Sequence, residues 1–162
     1  MVAFEALVFP LRIAQAILAI IILSLIAYVI NSWSAPYYYY SWSPSSANFL
    51  LFCSIWTILV LVYLVVAPLR FQQATHKFAI LGVEFVAMIF WFAGFIAYAV
   101  FITGCSDAWG VCRASEAAVT FGAFEWLLFL FSTFMAAAHC WRTRNTNTTK
   151  HDPAIEVQAA TV

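Results

Sequence analysis

Three ionisable side chains, Arg12, Glu84 and Glu125, stand inside or at the edge of long apolar runs of the chain. An ionised group at the centre of a bilayer costs on the order of 2.5–3.5 kcal/mol on insertion scales, so each of them demands a partner or a purpose. Two chemistries fit carboxyls in such places. Glu84 and Glu125 could carry a proton or a cation, as in a small proton- or ion-coupled transporter. Alternatively, they are neutral or paired groups that fix the register of one helix against another. The runs lack the Gly/Pro interruptions that mark the broken helices of transporters, which favours the structural role. Arg12 and Gln15 share a helix face at i, i+3 spacing. Glu84 lies seven residues beyond Lys77, roughly 10 Å in from the same side. These positions predict an Arg12–Glu84 pair that ties the first helix to the third, with Gln15 hydrogen-bonding beside it.

The cysteines are Cys53, Cys105, Cys112 and Cys140, with no C-x-x-C pair and no histidines at zinc-ligand spacing, so no metal site and no cofactor are expected. Cys105 and Cys112 bracket a short Gly-bearing segment, GCSDAWGVC, expected to face the lumen or cell exterior, where a disulfide is supported. The spacing is not that of a redox dithiol, so the bridge is read as structural. Cys140 closes the last apolar run beside Trp141 and Arg142, a setting suited to palmitoylation, whereas Cys53 reads as packing. No Ser/His/Asp arrangement or phosphate-cradling glycine loop gathers on one side of the bilayer, so no catalytic residue is assigned and the chain is not read as an enzyme. His139 and His151 read as solvated.

The elements that must position these residues follow from composition. With 65% hydrophobic and 9% charged residues, a chain of 162 residues cannot hide its apolar surface in a water-soluble globule. A helix needs roughly 20 apolar residues to cross the hydrocarbon core. Four stretches satisfy this: Leu11 to Ile30, Phe49 to Ala67, Phe78 to Ile102 and Ala117 to Cys140. The first exceeds the core of a signal peptide and is followed by Pro36 where cleavage would be needed, so it is kept as a span. The predicted fold is therefore all-α, a transmembrane bundle of four helices over 1–141 followed by a disordered tail over 142–162. A net charge of zero leaves no basic face for nucleic acid.

Arg12, Arg70, Lys77, Arg142, Arg144 and Lys150 fall on one side of a four-span plan and Arg113 on the other, which predicts cytoplasmic N- and C-termini. The tail carries a sequon at Asn147, usable only if that orientation is reversed. The first outer loop, Asn31 to Asn48, contains Trp33, Tyr37 to Tyr40 and Trp42, and is expected to lie on the headgroups as an aromatic belt. Seven tryptophans, seven tyrosines and sixteen phenylalanines suit such boundaries. Along the fourth span Ala118, Gly122, Glu125, Phe129, Ser132 and Ala136 repeat at four and three, a stripe of small and polar residues expected to be the buried seam. Glu84, Ala87, Trp91, Gly94 and Tyr98 form a weaker seam on the third.

The entry LRIAQAILAIIILSLIAYVI, with Arg12 and Gln15 opening the span, resembles the R-x-x-Q start of fungal MARVEL-domain proteins. The runs EFVAMIFWFAGFIAYAV from Glu84 and CRASEAAVTFGAFEWLLFLFSTFM from Cys112 resemble the acidic and Ala-rich helices of the same group, which includes the non-classical export proteins of fungi. The resemblance spans Arg12 to Trp141 and leaves the tail unmatched. It implies a four-helix membrane-associating domain with both ends in the cytoplasm, acting in plasma-membrane organisation, membrane apposition or vesicle traffic. It further implies partners among membrane lipids, with sphingolipid or sterol as candidates, and among other membrane proteins or further copies of the chain.

Overall fold

The computed structural model describes residues 2–33, 44–70, 77–105 and 110–142. Tyr37 to Tyr40 and Trp42 of the expected aromatic loop, the Asn147 sequon, Arg144, Lys150 and the tail after residue 142 lie outside the described residues. Four helices account for nearly all of what is described: α1 (Val2–Trp33), α2 (Ser45–Arg70), α3 (Lys77–Ile102) and α4 (Gly110–Arg142). All four are long and apolar enough to cross a bilayer. Helix is the form such segments must take, because it satisfies every backbone N–H and C=O within the segment where no water can.

The helices run further than hydropathy alone indicates. α4 starts at Gly110, seven residues before the expected Ala117, so Cys112 and Arg113 belong to its first turns and not to a loop. The polar residues Arg113, Ser115 and Glu116 lower the local hydropathy without interrupting helical hydrogen bonding. α1 reaches back to Val2 through Pro10, which has no N–H to give the Ala6 carbonyl and so removes one rung of the helix ladder two turns in from its start. The Pro44 carbonyl accepts from the backbone N–H of Ala47 (3.0 Å) and Asn48 (3.1 Å), starting α2. At the end of α3 the Thr103 hydroxyl donates to the Val100 carbonyl (2.8 Å) and the Cys105 N–H to that of Ile102 (2.9 Å). The chain then re-enters α4 at Gly110, and the Cys105–Cys112 disulfide closes the turn with 5.9 Å between its Cα atoms.

Each helix packs on its neighbour in sequence, and α1 also packs on α4, closing a four-membered ring. Contacts between helices fix their relative height, and a seven-residue step then moves each by two turns, about 10 Å. Arg12, Glu84 and Ser132 meet at one level. One step further in, Ala19, Trp91 and Glu125 share a level with Thr57, which Trp91 contacts. A second step brings Ile26, Tyr98 and Ala118 alongside Ala47 and Leu50. All the residues of these two inner levels are fully buried. Small side chains make room for the rings: a Cβ on Gly122 would stand 3.2 Å from the Phe95 Cβ, and one on Gly94 would stand 3.1 Å from Leu50 Cδ2.

The seam predicted on α4 is buried at Ala118, Gly122, Glu125, Phe129 and Ser132, while Ala136 is only partly buried and Thr133 and Met135 face inward beside it. A straight helix drifts about 20° per heptad, which moves a 4-3 stripe off the contact line at its far end. The α3 seam, Glu84, Ala87, Trp91, Gly94 and Tyr98, is buried throughout. Aromatic residues are not confined to the bilayer boundaries, as their number had suggested. Trp91, Tyr98 and Phe129 are fully buried, and Phe85, Phe92, Phe124, Phe131 and Phe134 point outward along the spans.

Gly122→Leu forces α3 and α4 apart, so its unfolding midpoint in detergent should fall by an amount reflecting about 1–3 kcal/mol of overpacking. Gly82→Ala, where a Cβ meets nothing within 4 Å, should show no loss. Reduction before alkylation under denaturing conditions should add two modified cysteines, located by peptide mapping to Cys105 and Cys112. In the chain-entropy estimate that bridge stabilises the fold by about 2.5 kcal/mol.

Candidate functional site

The polar side chains that enter the bundle form a column along its axis. At its base, Arg12 pairs with Glu84 across the ring from α1 to α3, and Ser132 of α4 donates its hydroxyl to the other carboxyl oxygen of Glu84. Glu84 is fully buried and Ser132 nearly so, while Arg12 keeps 18% of its side chain exposed at the margin. Arg12 Nη1 also donates to Gln15 Oε1 at 3.1 Å, one helical turn deeper. Three helices thus converge on one carboxylate, and its charge is matched by a guanidinium and a hydroxyl donor, as a buried ion requires.

At the next level the indole N–H of Trp91 donates to the Thr57 hydroxyl at 2.9 Å, joining α3 to α2. Glu125 sits here, fully buried, with no hydrogen-bond partner on either oxygen among the described residues. Gln15 Nε2 and Thr133 Oγ1 are likewise buried without partners. Higher still, the Tyr98 hydroxyl donates to Ser115 Oγ at 2.8 Å, and Ser115 donates to the Val111 carbonyl at 2.9 Å. Ser54 is closed on the Leu50 carbonyl (3.0 Å) and Cys53 on the Phe90 carbonyl (3.6 Å), the usual fate of small polar side chains in hydrocarbon.

The structure therefore brings Arg12, Gln15, Glu84 and Ser132 together and leaves Glu125 two turns away from them. Cys105 and Cys112 are joined, and Cys140 lies half-buried near the opposite end of α4, beside the exposed Trp141. The contacts Trp91–Thr57 and Tyr98–Ser115 were missed from sequence. The signal was present, since Trp91 and Tyr98 lie on the seam of α3, but nothing local named their partners on other helices. Among the described residues no group of His, Cys, Asp and Glu could hold a metal ion.

The model of the MARVEL family, described as a membrane-associating domain, matches residues 6–135, which contain all four spans almost whole and every member of the polar column. The chain belongs to that family. No curated protein and no solved structure matches it significantly. MARVEL domains cross the membrane four times and are generally structural membrane proteins, not enzymes, in keeping with four packed apolar helices.

Because Glu84 would be left buried and unpaired, Arg12→Leu should destabilise the bundle by about 3 kcal/mol, the lower end for a broken buried pair given the partial exposure of Arg12. The double variant Arg12→Leu/Glu84→Leu should recover most of the loss, as should the charge-reversed pair. Unfolding midpoints in one detergent check this, and a double variant worse than either single one would refute the coupling.

Proposed function

We propose that this MARVEL-domain protein is a structural component that organises the plasma membrane, through lateral domains, membrane apposition or vesicle traffic. The observation that carries this reading is how its surface divides. The described polar groups within the spans are largely turned into the bundle or closed on their own helix, whereas all four helices present large apolar side chains outward, such as Ile17, Leu59, Phe92 and Phe134. The interaction surface is then the lateral one, which meets lipid chains and the helices of other membrane proteins or of further copies. Sphingolipid or sterol is the lipid class suggested by the resemblance to fungal non-classical export proteins. Coupled transport is not favoured.

The proposed orientation has both termini in the cytoplasm, supported by the basic residues on that side of the four-span plan. The Cys105–Cys112 bridge then lies in the oxidising compartment, consistent with its formation. Acylation of Cys140, near the end of α4, would add an anchor on the cytoplasmic face.

Expressed with a C-terminal fluorescent tag in a fungal cell, the protein should gather in stable patches at the cell periphery that disperse when sphingolipid synthesis is blocked. A uniform peripheral signal indifferent to that block would refute the organising role. A glycan on Asn147 would refute the orientation.

A further inference from the structure

The charged residues divide unevenly between the two ends of the bundle. Arg70 is the last residue of α2, Lys77 the first of α3 and Arg142 the last of α4, and these helices adjoin one another in the ring. Against them α1 carries Glu5 at the same end. The segment 71–76 holds no Lys, Arg, Asp or Glu, and the tail sets Arg144 and Lys150 against Asp152 and Glu156. The excess positive charge of this end therefore belongs to the helix termini. At the opposite end the sign reverses: Arg113 and Glu116, both exposed on α4, offset each other, and the segment joining α3 to α4 adds Asp107.

Printed on the spans, these positions fall at headgroup depth. Trp91 is the central residue of the α3 span Ile80–Ile102, and its hydrogen bond to Thr57 marks the same height on α2. From that height Arg70 lies about 20 Å along α2 and Lys77 about 21 Å along α3. The hydrocarbon half of a bilayer ends at about 15 Å and the headgroups occupy the next several. Measured instead from the Glu84–Ser132 contact, Lys77 is about 10 Å outward and Arg142 about 15 Å, so Arg142 stands only slightly further out. Trp141, the residue before it, is exposed, the usual place for an indole where lipid meets water.

Charge and placement together select the occupant. The basic residues are spread over three helix ends at the depth of the headgroups, an arrangement that suits lipids standing around a rim better than one acidic protein segment. That rim continues the outward apolar surface, so a lipid whose chains lie on the surface brings its phosphate to the rim. An uncharged sterol would gain nothing there. We propose that the end of the bundle carrying Arg70, Lys77 and Arg142 selects anionic phospholipids in the leaflet that meets it, the cytoplasmic one in the orientation given above. The proposal rests on the reading that lipid covers the lateral surface, and it adds a preference for headgroup charge.

Electron spin resonance of chain-labelled lipids tests this on the full chain reconstituted in phosphatidylcholine vesicles. One basic residue near an anionic surface is worth about fivefold, so averaged over all surrounding lipids, labelled phosphatidylserine should associate about two to five times more strongly than labelled phosphatidylcholine. At about 1 M salt the ratio should fall toward one. Arg70→Gln/Lys77→Gln/Arg142→Gln should abolish the preference, and Arg113→Gln, at the other end, should retain it. Equal association of the two lipids with the unsubstituted protein overturns the proposal, would leave the basic end to an acidic protein segment, and requires no variant to fold. A preference that survives in the triple variant overturns it as well. Patch formation in cells tests the organising role separately, so either reading can fail while the other stands.

Discussion

Inside a hydrocarbon slab there is no solvent to satisfy a polar atom, and that exclusion governs each level of this structure. The backbone answers by forming helices. Hydroxyls answer by returning to carbonyls one turn back, as Ser24 does to Ile20 and Ser54 to Leu50. Charge answers by turning inward to a counter-charge, and the Arg12–Glu84 pair with its Ser132 donor is the result. Because lipid tails are as apolar as leucine, burial of apolar groups does not drive the helices together. Close fit and these few polar contacts must do so, and the glycines at 94 and 122 and the alanines at 19 and 118 stand where fit matters most.

The ion pair contributes specificity more than raw stability. Well-packed hydrophobic residues can replace a buried pair without loss in many proteins, whereas an ion left alone is costly. α3 sliding past its neighbours by one turn would separate Arg12 from Glu84 and also take Trp91 from Thr57 and Tyr98 from Ser115. The three contacts lie two turns apart on α3, so they act as pins at separate heights. Alternative registers are penalised at each height, which is the use of buried polar groups best supported in helical assemblies.

Much of this was legible in the chain. Four spans follow from length and hydropathy, and Lys77 supplies the depth marker that puts Glu84 near Arg12. The 4-3 spacing of small and polar residues marks the inward faces of α3 and α4. What could not be read has specific causes. Polar residues near Arg113 hid the first two turns of α4, because hydropathy measures solubility in lipid and not helicity. The inward position of Trp91 contradicts the preference of tryptophan for interfaces and follows from Gly122 leaving space beside it, a matter of tertiary fit. Hydroxyl partners on other helices, such as Thr57 and Ser115, carry no local mark.

The outward surface has texture as well as greasiness. On α3, Gly82, Ala93 and Ala97 are exposed among Phe85, Phe92 and Ile96, and on α4 Phe134 stands 71% exposed. With little polarity to read along the spans, a neighbouring molecule can distinguish one side of this protein from another chiefly by relief, by where a rigid ring or a flat backbone can come close. Discrimination of that kind depends on van der Waals contact and fades within an ångström or so of separation. It therefore rewards molecules already pressed alongside and has little means of attracting distant ones.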